Sequence, residues 1–353
     1  MMKKMKAASL IIALMLILSS CSAIRTIGFG KEEKNLTKIG LVLDLGGEDD
    51  HSFNMMTMKA FKQLAIPDKI EARSYAPKSL SAIGDNIAKL VDNEAELIFS
   101  VGFNGAKLLK EQAEKNEDIS FVSLYNSYDS STIYKNLTGS FYKNQESAFL
   151  AGYIAAYQTK INEVGFIGSQ KGAILSHYEN GFKSGVLEAE KELKRTIKVD
   201  VEYLDTYTDE NIGRNVAKAM YEKADVIYQV AGKAGIGVVE EAKSSGKWVI
   251  GSEYDQSFIA PKNVLTSTVN DFGKALDIIA QDHFKGENIG GKNYIFGVKE
   301  GVVGLSPYPE EKAVLEKSIY DRAMALVEKI KSGALVPAKD EAELNRYTKE
   351  KEK

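Results

Sequence analysis

Residues 38–65 read KIGLVLDLGGEDDHSFNMMTMKAFKQLA, and this stretch decides the fold. Ile39 to Asp44 is a short β-rich apolar run ending on an acid, Gly46 and Gly47 allow a tight turn, and Ser52 can cap the next helix. From Phe53 to Ala65 apolar residues recur three or four apart, as in Met56, Ala60 and Leu64, which is helical spacing. The unit repeats: Ile70 to Tyr75 then Leu80 to Asp92, whose Ile83, Ile87 and Leu90 share a face; Leu97 to Val101 then Ala106 to Glu114; and Ile119 to Tyr125. Strands alternating with amphipathic helices predict an α/β fold with a parallel sheet covered on both faces.

A second array comes after it. Ala148 to Tyr157, Tyr178 to Leu193, Glu210 to Tyr221 and Gly237 to Lys243 read as helices, and Glu163 to Ile167, Ile197 to Leu204, Ala224 to Val230 and Trp248 to Gly251 as strands. Two arrays in tandem predict two similar lobes, the first from residues 38–143 plus about 254–290, the second from 144–253 plus about 291–335. Val264 to Thr268, Phe272 to Phe284, Tyr294 to Val298 and Glu310 to Ser332 complete both lobes by crossing back between them. The charged tail, 336–353, is expected to fray.

Length and composition fit this. The 353 residues suggest about two domains, and 44% hydrophobic with 27% charged residues is the balance of a globular protein. A net charge of -3 with no polybasic block speaks against nucleic acid as a partner. Ahead of the first strand, Lys3, Lys4 and Lys6 precede the apolar run Ala7 to Leu18 and then Ser19-Ser20-Cys21, a secretory pattern too short for a comfortable membrane span. Residues 1–20 are therefore expected to be a signal peptide. Cys21 is the only cysteine, so it has no intramolecular disulfide partner. Its place after Leu-Ser-Ser resembles a lipoprotein cleavage site, with the acylated thiol as lipid anchor and 21–37 as a flexible spacer from the membrane.

In open α/β sheets ligands bind beyond the carboxyl ends of the strands, so the residues there carry the functional reading. After the first strand come Asp44, the two glycines, Glu48, Asp49, Asp50, His51 and Ser52, then Phe53 and Asn54 in the first helical turn. A ring beside an amide suits a flat, hydrogen-bonding ligand; the alternatives are a core Phe and a solvated acidic turn. The acids lack the alternating ligand spacing of an EF-hand loop, so no metal is assigned. Tyr207 follows another strand and could present a second ring. Ala231 to Gly237 turns from strand to helix without the spacing of a dinucleotide or Walker loop, so a plain tight turn is its alternative reading. Glu253 and Asp255 follow a further strand, where a carboxylate can accept from vicinal hydroxyls or simply face water.

Catalytic constellations are poor. His51, His177 and His283 stand in unlike contexts, and no HExxH, GxSxG or CxxC spacing occurs. No cofactor is implied.

Together these residues resemble the basic membrane protein family of nucleoside-binding lipoproteins, the substrate receptors of nucleoside ABC transporters. The likeness runs from Lys38 to about Pro307 and rests on Asp44 and Gly46, Asp50 with Ser52-Phe53-Asn54, Ala148 to Tyr153, Gly165-Phe166-Ile167-Gly168, the Gly-rich turn to Gly237, Gly251 with Asp255-Gln256, and Ala260-Pro261 before Asn263-Val264. The resemblance implies the type I periplasmic-binding-protein fold, two Rossmann-like lobes about a multi-strand hinge. It implies a small-molecule nucleoside as ligand, a purine nucleoside first, delivered to an ABC permease by a monomeric, lipid-anchored protein of the bacterial cell envelope.

It also implies roles. Asp44 matches an acid near the ribose, Phe53 a ring stacking on one face of the base, Asn54 an amide on the base edge, and Tyr207 the ring on the other face. Gly232 lies where backbone approaches the sugar, and Glu253 replaces a ribose-binding Asp with a side chain one methylene longer. Two positions depart from the family pattern. Tyr125-Asn126-Ser127 stands where relatives place an acid against the purine, and Asn270-Asp271 where they carry a lysine. Losing the acid removes the acceptor for a ring N–H, which opens the choice of ligand to a pyrimidine nucleoside or a flavin such as riboflavin. A sugar receptor, a nucleoside hydrolase using Asp44, Asp49 and Asp50, and a surface adhesin are the competing readings.

Overall fold

The computed structural model of the protein describes residues 36–48, 53–64, 69–311 and 314–351. Cys21 and the signal and spacer segments lie outside them, as do Asp49, Asp50, His51 and Ser52. From Lys38 onward the chain forms one compact unit built on two six-stranded sheets. The first array supplies β1 (Thr37–Val42), α1 (Phe53–Leu64), β2 (Ile70–Tyr75), α2 (Leu80–Asp92), β3 (Leu97–Val101), α3 (Ala106–Lys115), β4 (Ser120–Leu124) and β5 (Leu137–Tyr142). The second supplies α4 (Asn144–Gln158), β6 (Glu163–Gly168), α5 (Ala173–Leu193), β7 (Lys198–Tyr203), α6 (Glu210–Met220), β8 (Val226–Val230), α7 (Ala234–Ser245) and β9 (Trp248–Gly251). Then come β10 (Val264–Asn270), α8 (Phe272–Phe284), β11 (Lys292–Phe296), β12 (Val303–Leu305), α9 (Lys317–Lys331) and α10 (Glu341–Lys351).

The strand orders are β11-β5-β4-β3-β1-β2 and β12-β10-β9-β8-β6-β7; among the described residues the pairings are parallel apart from the short β10–β12 one. Central strands such as β3 and β8 are buried along their whole length because helices cover both faces. One face of the first sheet packs Met58, Phe61, Leu276 and Ile279 from α1 and α8, the other Ile83, Ile87 and Leu109 from α2 and α3. The second sheet is covered by α4, α5 and α9 on one side and by α6 and α7 on the other. This is the type I periplasmic-binding-protein architecture.

Helix α4 is apolar nearly all round, so it is buried nearly all round. It lies against α5 at backbone distance: a Cβ on Gly152 would collide with the Phe182 carbonyl, and one on Gly185 with that of Phe149.

Two crossing strands sit in the opposite lobes from those expected. β10, within 254–290, extends the second sheet beside β9, while β11, within 291–335, extends the first beside β5. Strand patterning does not name a partner. The Asn293 side chain does so for β11, accepting from Tyr128 N at 2.9 Å and donating to Tyr128 O at 2.7 Å. β5 itself gives no apolar run to read, since its buried Thr138 and Ser140 bond to carbonyls of neighbouring segments. The tail is likewise ordered rather than frayed in its described part. Tyr347 of α10 donates to Glu188 at 2.7 Å, its ring stands edge-on to Phe149, and Lys191 lies 5.1 Å over it.

Three chain crossings join the lobes, at Tyr142–Asn144, Asn270–Phe272 and Phe296–Val303. They are laced together by Lys143 N to Phe296 O at 2.8 Å, Asp271 N to Val302 O at 2.7 Å and Val298 N to the Glu146 carboxylate at 2.7 Å. Burial pushes the Glu146 carboxyl above the usual range, and the Val298 N–H opposes that.

Candidate functional site

The carboxyl ends of β1 and β4 in the first lobe, and of β7, β8, β9 and β10 in the second, carry the residues that the sequence singled out. Asp44 follows β1 and is only 4% exposed. One carboxylate oxygen accepts from Leu45 N at 2.7 Å and Asn104 Nδ2 at 2.6 Å, the other from Asn104 N at 3.3 Å. Gly102, at φ 87°, lets the chain pass: a Cβ there would collide with that carboxylate.

Asn54 is wholly buried beneath it. Its Oδ1 accepts from Asp44 N at 2.9 Å and its Nδ2 donates to Asp44 O at 3.3 Å. The amide expected on a base edge thus braces the end of β1, because the first turn of α1 packs directly under that strand.

Phe53 opens α1 and stays half-buried. Its near-parallel neighbour is Tyr125, with ring centroids 6.3 Å apart at 25°, and it meets Phe272 edge-on at 6.1 Å. Tyr207, expected as its sandwich partner, stands on the second lobe 49% exposed. The Tyr207 carbonyl accepts from Ala234 N at 3.0 Å, and Gly232, at φ 57°, approaches that same carbonyl. Tyr207 and Gly232 are therefore brought together, and Phe53 is grouped with Tyr125.

Tyr125 takes a φ of 96°, a conformation rare for a bulky side chain. Its N–H donates to Ser140 Oγ at 2.9 Å, and its ring lies among Phe103 (4.4 Å, perpendicular), Phe272 (5.3 Å) and Tyr142 (6.0 Å). The ring is half-buried among these neighbours of the first lobe. Burial, then the Glu253 charge, hold this phenol well above its ordinary pKa, so it stays a neutral donor.

Glu253 has φ 70°, and its carbonyl accepts from Asn270 N at 3.2 Å. Asn270, 1% exposed, donates its Nδ2 to Asn144 Oδ1 at 3.0 Å and to the Tyr178 hydroxyl at 3.2 Å. Expected at the ligand, Asn270 is built into the hinge instead.

A family model for PnrA-like ABC transporter substrate-binding proteins matches residues 37–340. The chain is 35% identical over 323 residues to basic membrane protein A of Borreliella burgdorferi, covering 90% of this chain and 94% of that one. It is 36% identical over 321 residues to basic membrane protein B of the same organism, covering 87% and 91%. The chain belongs to this family. Among solved structures, an ABC transporter solute-binding protein from Aeropyrum pernix K1 has the same fold with a TM-score of 0.71 at 21% identity, over 89% of this chain and 97% of that one. A counterpart from Conexibacter woesei gives 0.70 at 18%, over 86% and 100%.

In this PnrA-like chain several residues around these groups carry no motif that marks them. Phe103 and Asn104 directly follow β3, so the strand-end rule could have found them. Phe272 opens α8 just as Phe53 opens α1, a parallel visible once β10 is placed. Tyr142 ends a strand with no apolar run, and Tyr178, 2% exposed on α5, meets Asn270 from a helix, where no strand-end rule applies.

Proposed function

We propose that the protein captures a nucleoside between its two lobes and delivers it to an ABC-type permease, making and breaking no bond itself. One observation carries this reading: an aromatic wall of Phe53, Tyr125 and Phe103 stands at the strand ends with the buried Asp44 carboxylate, which is held by Asn104, the neighbour of Phe103, while Glu253 follows β9 in the second lobe. Rings grip a flat base by its faces, and carboxylates accept from ribose hydroxyls. Asp44 still has lone pairs to offer beyond the Asn104 and Leu45 donors. Tyr207 supplies a further ring from the second lobe, free to swing onto the base because nearly half of it is exposed. Acylation at Cys21 would hold this receptor at the membrane of the bacterial envelope, beside its permease.

The test is a thermal-shift screen of protein unfolded and refolded to strip carried ligand, against purine and pyrimidine nucleosides, free bases, ribose and riboflavin. A ligand that binds only the native state stabilises it by about 2.7 kcal/mol at a hundred times its Kd. A shift with nucleosides, and none with free bases or ribose, is the expected result. A shift with riboflavin alone, or with nothing, sinks the nucleoside reading.

A further inference from the structure

The three crossings between the lobes are tied to one another in a closed triangle. Asn144 Oδ1, at the end of the first crossing, accepts from Asn270 Nδ2 of the second at 3.0 Å. Asp271 N of the second donates to Val302 O of the third at 2.7 Å, and Lys143 N of the first donates to Phe296 O of the third at 2.8 Å. Glu146 doubles that last side, its Oε2 accepting from Val298 N at 2.7 Å. A bend in one crossing therefore pulls on the other two.

Two of these links are made by side chains, and both side chains rise from the first turn of α4. Asn144 and Glu146 are 4% and 7% exposed, so neither bond is easily replaced by one to water. Standing two apart on a helix of 3.6 residues per turn, they leave the axis on nearly opposite sides, and a single turn reaches two crossings. The third crossing makes room for this, since a Cβ on Gly297 would collide with the Glu146 carboxylate. It also holds its own shape: Gly297 N donates to the Glu300 carboxylate at 2.8 Å and Gly301 N to Val298 O at 3.1 Å. A pull on Val298 thus moves the whole segment. The second crossing reaches the cleft wall, where Asn270 N donates to the Glu253 carbonyl at 3.2 Å.

We propose that the first turn of α4 is the pivot of the molecule: Asn144 and Glu146 are positioning residues that make the three crossings bend as one, so that the lobes open and close along a single path. They act through the crossings rather than on a ligand. With both links in place, little relative freedom of the lobes is left for a ligand to remove at closure. With one link cut, the lobes gain further orientations, and ordering them weakens capture. The pivot does not depend on which ligand the cleft takes.

Hydrogen exchange on the full chain, unfolded and refolded to strip ligand and with no nucleoside added, tests the pivot. Glu146→Ala removes the bond to Val298. It should speed exchange about tenfold in residues 296–303 and also in 269–272, the crossing it does not touch, since a bond to a charged group carries at least that factor. Asn144→Ala should speed the same two segments about threefold, on the scale of a neutral bond. Glu146→Gln keeps an acceptor for Val298 N and should restore most of the protection. Strand β8, at the centre of the second sheet, should be unchanged in all three variants. If each substitution speeds only the crossing whose bond it removes, the links are local and the pivot is overturned. Equal acceleration in β8, which marks a general loss of stability, overturns it as well, and so does a Gln variant as fast as the Ala one. Should Glu146→Ala fail to fold, Asn144→Ala decides alone, through residues 296–303, which its side chain does not bond. Because no nucleoside is present, a failed pivot leaves the thermal-shift result untouched, and a failed nucleoside screen leaves the pivot standing.

Discussion

Phe53 and Asn54 are adjacent in sequence, and they face opposite ways in function. The ring is half-buried at the cleft, while the amide is wholly buried and braces the Asp44 backbone. Helix geometry forces that split, since residues one apart in a helix do not share a face. Phe53→Ala should weaken nucleoside binding by about 1–3 kcal/mol, the scale of base–aromatic stacking, with the fold intact. Titration calorimetry on stripped protein reads this directly. An unchanged Kd would place Phe53 in the core rather than at the ligand. Which face each residue presents was not legible from composition: a Phe and an Asn at a helix start look the same whether they turn in or out.

Among the elements, helices were the most readable because their periodicity is long and their faces differ. α1, α2 and α6 follow the expected bounds closely, while β5 and the three-residue β12 carry too little apolar signal to be seen. The α4–α5 pair shows where small residues do the packing. Gly152 and Gly185 admit the opposite backbone so closely that any Cβ collides with a carbonyl. Gly185→Ala should therefore push the helices apart and destabilise the fold by about 1–3 kcal/mol, the usual penalty for overpacking, even though alanine is the better helix former. The midpoint of urea unfolding checks this, and a variant as stable as the natural chain would mean the helices can slide apart without loss.

The molecule as a whole also carries a pH dependence. Burial holds His177 below its ordinary pKa, with Lys339 pushing the same way and Asp340 and Glu343 opposing; burial likewise lowers His283, with Glu96 opposing. The fold therefore disfavours the charged form of both. Their contribution is present in full above the unfolded value of about 6.5 and is lost as the pH falls through the lower folded values. Glu146 has the opposite sign: its raised carboxyl favours the fold at low pH, and that contribution is lost as the pH rises through the folded value. Replacing both histidines by Gln should therefore shrink the loss of urea stability between about pH 7.5 and about pH 5.5. An equal loss in the natural and doubly substituted chains would show that neither histidine is responsible.

Local patterning was enough to set the βα order, the two lobes and the strand ends at which to look, because these depend on periodicities of two and 3.6 that any local segment displays. Long-range contacts settled which sheet each crossing strand joins, since identical strand patterns pair with either edge until a side chain such as Asn293 bonds one of them. They also settled which cleft residues meet. Tyr125 and Phe272 are far apart along the chain, and no local pattern couples them. Only the packing of separate elements gathers Phe53, Phe103, Tyr142 and Phe272 around the Tyr125 ring.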